Sequence, residues 1–474
     1  MKKKCACEPF ELRFERDGGR CLVSGPAGAL LRLTPSEFSA FRSGRVKEGT
    51  PLFNRLAEAG LLRGRLDFDA LTAGLAGLSS EVSAGPGLHI LVLTLKCNHA
   101  CVYCRAVGGH GGDSMSRATA LAAVETAFRS PNPAITIEFQ GGEALLNWPV
   151  LKAAAAYAKR LNRKAGKDLA LSVVTNLSLM DEEKFSWLVR EGVSVCTSLD
   201  GPADLHDVNR RWSGGSSHAA AVRWLKRFMA AAARDGRRDT LPSALMTTTR
   251  QSLGRAADIV EEYRALGLGG VFLRPLSPIG YAAAAWPEIG YAPEAFLAFY
   301  REALDRVMKI NFSGERFVER WAAILSAKLL RREDPGYLDL RSPCGAAIGQ
   351  LAYNWDGDVY TCDEGRMLAA CGDPFFRLGN VRRNSYEELL SAPAARVCAM
   401  ASCLESQPAC ARCAFKLFCG VCPVHNYAEQ GSPWGAIPGG TWCALHKGLF
   451  KIVFGLLENK KSRRVIESWL DGKR

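Results

Sequence analysis

The sequence predicts an α/β chain: a partial (β/α)6 barrel of the TIM type, a cysteine-rich C-terminal domain and a small N-terminal α+β unit. Three observations predict it. From about residue 88, apolar strand-like runs alternate six times with helical stretches, which implies a parallel sheet with helices outside it. The cysteines are concentrated, three within Cys97–Cys104 and most of the others between Cys344 and Cys443. Before residue 80 the apolar pieces are short and interrupted by turn residues, as in a small mixed unit.

Taken in order, strand-like pieces at 10–14, 20–24 and 30–33 surround a turn at 25–28, and helical stretches follow at 35–43 and 51–60. A Ser/Gly/Pro-rich link at 79–87 ends this unit. Strands are expected at 88–95, 135–139, 169–175, 193–199, 241–247 and 270–273. Helices are expected at 116–129, 148–163, 181–191, 218–234 and 253–266. Crossovers between parallel strands should be right-handed, and the active site of such a sheet lies at the C-terminal strand ends. The division expected is 1–80, a core at 84–310, a helical linker at 311–340, a cysteine-rich domain at 341–445 with little periodicity, and a C-terminal helix at 446–474.

Composition narrows the classes. With 48% apolar and 23% charged residues the chain is globular rather than disordered. No apolar run reaches membrane-spanning length, and the basic start lacks the apolar core of a secretory signal, so a cytoplasmic protein without a membrane partner is expected. In a reducing compartment 17 cysteines point to metal before disulfides. Cys196, alone in an apolar run, reads as an inert buried residue. The net charge of +13 suits an acidic peptide or nucleic acid. The basic runs at 331–332 and 460–464 are short, so nucleic acid is not the expected partner.

Two motifs carry the chemistry. Cys97-Asn98-His99-Ala100-Cys101-Val102-Tyr103-Cys104 directly follows the first barrel strand. A four-iron cluster ordinarily takes four thiolates; three leave one iron open, able to chelate the amino and carboxylate groups of S-adenosylmethionine (SAM). The competing reading is a zinc knuckle with His99 or His110 as fourth ligand; the spacing, Tyr103 and the strand context favour the cluster. Gln140-Gly141-Gly142-Glu143 ends the second strand. Its glycines let a backbone edge approach a ligand, and its carboxylate is placed to accept from the SAM ammonium. Alone this motif would be a plain turn.

Together these residues resemble the radical SAM superfamily. The resemblance implies that Gly141, Gly142 and Glu143 contact the methionyl amino group, and that Thr175 and Asn176, ending the third strand, hold SAM with polar groups. Ser198-Leu199-Asp200-Gly201-Pro202 and the following His206–Arg210 look like a stretch of peptide-modifying members, with Asp200 a cofactor contact or a turn cap. Arg274, ending the sixth strand, would meet SAM or substrate, or form a surface ion pair.

Further on, Cys344, Gly357, Cys362, Cys410-x2-Cys413-x5-Cys419-x2-Cys422 and Cys443 resemble the seven-cysteine SPASM domain, which carries two auxiliary [4Fe–4S] clusters. Here two residues, Gly420 and Val421, stand where the family pattern has three. The resemblance implies one cluster on Cys410, Cys413, Cys419 and Cys443. The other would sit on Cys344, Cys362 and Cys422, with an open iron or a further ligand for which Cys371, Cys398 and Cys403 are candidates. Spacing alone fits two zinc sites as well.

The segments 137–147, 243–249, 272–278, 356–360, 363–367 and 376–380 resemble the B-type radical SAM maturases of His-Xaa-Ser systems over nearly the whole chain. That resemblance implies reductive cleavage of SAM to a 5′-deoxyadenosyl radical and hydrogen abstraction from a peptide or small protein with His-Xaa-Ser repeats. It also implies an external electron donor and a second radical SAM subunit. The alternative is a cluster-bearing scaffold or electron-transfer subunit without turnover. Residues 8–64 resemble the leader-binding winged unit of peptide maturases, or are a plain cap on the barrel. No acid–base residue is singled out.

Overall fold

The computed structural model describes residues 7–26, 28–104, 113–236 and 241–471. At the N-terminus β1 (Arg13–Asp17), β2 (Arg20–Ser24) and β3 (Leu30–Leu33) form an antiparallel sheet in that order. Helix Pro35–Arg42 starts at a capping box: Thr34 Oγ1 accepts from Glu37 N at 3.3 Å, and the Glu37 carboxylate accepts from Thr34 N at 2.8 Å. With helix Pro51–Glu58 it closes a separate core around Val23, Leu33, Phe41, Phe53 and Leu56. The unit leans on the cysteine-rich region, where Phe14 N donates to Arg412 O at 3.1 Å and Ser24 Oγ to Ala414 O at 2.7 Å.

The remaining strands are β4 (Leu88–Val92), β5 (His99–Cys101), β6 (Ala134–Gln140), β7 (Asp168–Thr175), β8 (Ser194–Ser198), β9 (Arg210–Trp212), β10 (Ser243–Leu245), β11 (Gly270–Val271), β12 (Val318–Glu319), β13 (Gln350–Tyr353), β14 (Asp358–Tyr360) and β15 (Arg377–Asn380). One eight-stranded sheet runs β10-β8-β7-β6-β4-β13-β14-β15, parallel as far as β13 and antiparallel beyond it. Five of the expected barrel strands thus stand in chain order, joined by helices Arg117–Phe128, Trp148–Ala165, Glu182–Glu191 and Ser217–Arg234. Trp148–Ala165 shows why: Trp148, Leu151, Ala154, Ala155 and Ala158 fall on one buried stripe, and Gly166, at φ 64°, ends it in the left-handed conformation.

Two features depart from the sequence reading. The sixth strand, β11, pairs with β12 instead of β10. A Cβ on Gly270 would lie 2.2 Å from Val318 O, so glycine permits that close pairing. The tie to the sheet comes later, where Thr248 N donates to Arg274 O at 3.0 Å. Second, the cysteine-rich region is not separate from the barrel: β13 adds in parallel to the free edge of β4, with Gln350 opposite Leu88 and Tyr353 opposite Leu91. His89 seals this seam, its Nδ1 2.9 Å from Tyr353 Oη and its Nε2 3.1 Å from Pro86 O. Burial pushes its pKa down to about 4. Helices Pro293–Phe312, Arg320–Ser326, Thr441–Leu457 and Lys460–Asp471 pack beside the barrel, so the expected single C-terminal helix is two. Among the described residues no helix is long and apolar enough to cross a membrane.

Candidate active site at the strand ends

The chain leaves β4 and enters the cysteine loop, whose middle is β5. This short strand pairs antiparallel with β9, setting Cys101 opposite Arg210 and His99 opposite Trp212. Cys97, Cys101 and Cys104 lie within electrostatic reach of one another and are only partly exposed. Burial pushes the Cys97 thiol up to about 12, opposed by the His99 N–H (3.4 Å from its sulfur) and reinforced by Glu143 and the other two thiols. Burial likewise pushes Cys101 up to about 11, against the Arg210 guanidinium. Binding a metal cluster must therefore displace protons from both. The His99 ring lies against Trp212, centroids 5.6 Å apart. His110 falls outside the described residues.

The second motif works through its backbone. Gly142 N donates to Thr94 O and Glu143 N to Lys96 O, both at 2.8 Å, immediately before Cys97. A Cβ on Gly141 (φ 152°) would lie 2.3 Å from Thr94 O, and one on Gly142 2.2 Å from Lys96 O. The close approach that the glycines permit is thus to the strand feeding the cysteine loop, where the sequence reading placed a ligand. The Glu143 carboxylate is also spent internally. Oε1 accepts from Thr175 Oγ1 at 2.7 Å and Leu145 N at 2.9 Å, and Oε2 from Asn176 N at 2.8 Å. Fully buried, its pKa is raised by burial against those three donors. Through these three bonds Glu143 acts as a positioning residue that staples the end of β6 to that of β7. Thr175 belongs to the same staple. Asn176 reaches the cysteine loop itself, donating from Nδ2 to Asn98 Oδ1 at 2.9 Å, while Asn98 Nδ2 donates to Ser178 Oγ at 2.7 Å.

Asp200 follows β8 by two residues and has no exposure. It accepts from Tyr103 Oη, from Arg210 Nε (3.2 Å) and Nη2 (3.3 Å), and from Thr247 N (3.1 Å). It does not cap the following helix; it anchors the loop's Tyr103. Burial disfavours the Arg210 charge, but Asp200, Tyr103 and Cys101 hold its pKa above the ordinary value, and its guanidinium stands 5.1 Å from the Tyr103 ring centre. Asn98, Ser178 and the Arg210 side chain are the parts of this bracing that the motif did not disclose.

Beyond the strand ends opens a cleft of about 970 Å³ including its mouth, lined among others by Thr247, Arg274, Tyr291, Tyr337, Glu364 and Trp442. Arg274 makes no ion pair among the described residues. Burial opposes its charge, while Tyr337, Glu364 and Asp339 raise its pKa. The far wall is the cysteine-rich region. There Cys410, Cys413, Cys419 and Cys443 form one group within electrostatic reach, and the buried Cys344, Cys362 and Cys422 form another. Cys362 and Cys422 cap the N-termini of helices Asp363–Ala370 and Pro423–Gln430, their sulfurs accepting from Gly365 N and His425 N at 3.4 Å. A helix N-terminus favours a thiolate. The short gap between Cys419 and Cys422 is met by Gly420, where a Cβ would lie 2.5 Å from Arg341 O. Among the described residues no three His, Cys, Asp or Glu side chains converge at single-ion spacing; thiolates on a four-iron cluster each reach a different iron and need not converge.

Residues 91–236 match the Radical SAM superfamily, and residues 344–414 match SPASM, an iron-sulfur cluster-binding domain. The chain thus contains a region matching the radical SAM superfamily followed by a SPASM iron-sulfur cluster-binding domain, and its cofactors are [4Fe–4S] clusters and SAM. An uncharacterized protein of Archaeoglobus fulgidus is 26% identical over 302 residues, 63% of this chain and 66% of its own length. One of Methanocaldococcus jannaschii is 29% identical over 126 residues, 27% of this chain and 42% of its own. The chain therefore spans just under two thirds of the first relative and less than half of the second. Among solved structures, native anSMEcpe with bound AdoMet superposes with a TM-score of 0.65 at 19% identity, over 80% of this chain and 100% of that one. Streptococcus suis SuiB bound to precursor peptide SuiA gives 0.55 at 11%, over 90% and 98%. Both share the fold.

Proposed function

We propose that this chain reductively cleaves SAM and modifies a peptide or small protein after translation, as the maturase of a His-Xaa-Ser system. The observation that carries the reading is a three-cysteine loop braced at the ends of a parallel sheet, whose Tyr103 shares an apolar cluster with Leu276 and Trp286 of a cleft that reaches the cysteine-rich region. When bound, the first cluster supplies the electron that splits SAM. The chain's own residues do the rest: Cys97, Cys101 and Cys104 hold the cluster, and Gly141, Gly142, Glu143, Thr175 and Asn176 set the strand ends against which SAM lies. Asp200 and Arg210 fix the loop, and Arg274 faces the substrate across the cleft.

A peptide as substrate is supported by the neighbours: anSMEcpe is solved with the Cp18Cys and Kp18Cys peptides and SuiB with its precursor peptide. The N-terminal unit would take the leader by adding it to a sheet edge, and an external donor and a second radical SAM subunit would complete the system. The test has two stages. Anaerobically reconstituted protein given SAM and dithionite should release 5′-deoxyadenosine; none would leave a scaffold or electron-transfer subunit. Co-expression with a small His-Xaa-Ser protein should shift that protein's mass, and an unchanged mass would refute the assignment to such a system.

A further inference from the structure

Three thiols, Cys344, Cys362 and Cys422, leave one corner of their cluster unaccounted for, and three further cysteines lie nearby in sequence. Cys371 is exposed at the end of helix Asp363–Ala370. The Cys403 thiol donates to Glu405 Oε2 at 3.5 Å. Cys398 is different. It has no exposure and packs in one buried cluster with Cys344, Cys362 and Cys422, among Ile279, Met367, Phe376 and Val424. Its helix, Pro393–Ser402, packs on helix Pro423–Gln430, whose cap is Cys422. Ser402 ties it to Cys344: Ser402 Oγ donates to Cys398 O at 2.6 Å and accepts from Cys344 N at 2.9 Å. The Thr361 hydroxyl stands 3.8 Å from Cys362 Sγ and also reaches the Cys398 thiol. A single buried cysteine is ordinarily inert packing. Four unoxidised ones in one buried cluster, two of them sharing a hydroxyl and two on helix N-termini, form a donor set of the kind that a four-iron cluster takes.

We propose that Cys398 is the fourth ligand of the auxiliary cluster on Cys344, Cys362 and Cys422. That cluster then has no iron free for substrate, and its part is confined to single-electron transfer. The inference rests on the C-terminal region holding clusters, and the experiment separates the two. The full chain is reconstituted anaerobically with Cys97, Cys101 and Cys104 all replaced by Ala, so that the remaining iron belongs to the auxiliary sites. Iron, sulfide and EPR after mild oxidation are measured for this parent and with Cys398→Ala, Cys371→Ala or Cys403→Ala added. The parent should hold iron and sulfide without the signal of a three-iron cluster; a parent without iron would refute the cluster reading itself. Cys398→Ala should lose up to one cluster's iron and show the three-iron signal, while the other two match the parent. Parental iron and spectra in Cys398→Ala, or the loss appearing with Cys371→Ala or Cys403→Ala, would overturn the assignment. Should Cys398→Ala not fold, Cys398→Ser decides: it keeps an oxygen donor and should retain iron with a shifted EPR spectrum, whereas an unshifted spectrum would overturn it.

Discussion

The loop of Cys97, Cys101 and Cys104 and the C-terminal group of Cys344, Cys362 and Cys422 present the same donor atoms in unlike surroundings. The first three are partly exposed and the second three buried. The loop's Tyr103 packs with Leu276, Ala282 and Ile289, and polar ties bind the loop to other strands, Asn98 to Asn176 and Ser178, Tyr103 to Asp200, and β5 to β9. The C-terminal thiols are ordered by an apolar cluster and by two helix caps. A site that must admit a co-substrate stays open on one side, so its order has to arrive from far along the chain. A site that only passes electrons, the part proposed for the second cluster, can be closed by packing.

The two sites can be perturbed separately. The largest effect should come from Cys101→Ala, which removes one of three ligands and should abolish 5′-deoxyadenosine release; retained release would refute the ligand role. Cys413→Ala should be its mirror image, lowering total iron while the first cluster's SAM-sensitive EPR signal persists. Asp200→Asn probes the ties themselves. It leaves Arg210 buried without its counter-charge and should cost about 3–5 kcal/mol in urea unfolding. It should also deplete the first cluster ahead of the C-terminal ones; equal depletion would show that the brace is not local. Gly141→Ala, which drives a methyl against Thr94 O, should also weaken the first cluster selectively, read as faster iron loss to a chelator.

The smallest effect lies at the seam between the regions. His89 is neutral in the fold, its pKa depressed from 6.5 to about 4. The unfolded chain takes up a proton there as pH falls through 6.5, so stability present above 6.5 is lost progressively down to about 4. The loss is at most about 3 kcal/mol. His89→Gln should flatten that part of the stability profile measured by urea unfolding between pH 7 and 4.5.

What could be read from residues alone follows a physical line. The cysteine and Gly-Gly-Glu motifs were legible because their residues are contiguous, and the five central strands because each is a run of apolar residues between helices. The second partner of every tie was not. Arg210 lies more than a hundred residues from Cys101, and nothing local marks it as its neighbour. A carboxylate at a strand end has no visible partner in sequence, so Glu143 reads as a ligand contact and Asp200 as a contact or a turn cap; the fold adds Thr175, Tyr103 and Arg210 as their partners. Strand β13 spans four residues amid turns and cysteines, too few to show a period.

The central claim is that the cluster on Cys97, Cys101 and Cys104 keeps one iron for SAM. The most direct measurement is the EPR spectrum of the dithionite-reduced, reconstituted full chain with and without SAM. The account predicts that SAM shifts one cluster's signal, and that the shift vanishes when these three cysteines are replaced by Ala. An unshifted spectrum in the native chain, or the same shift in the triple variant, would contradict it.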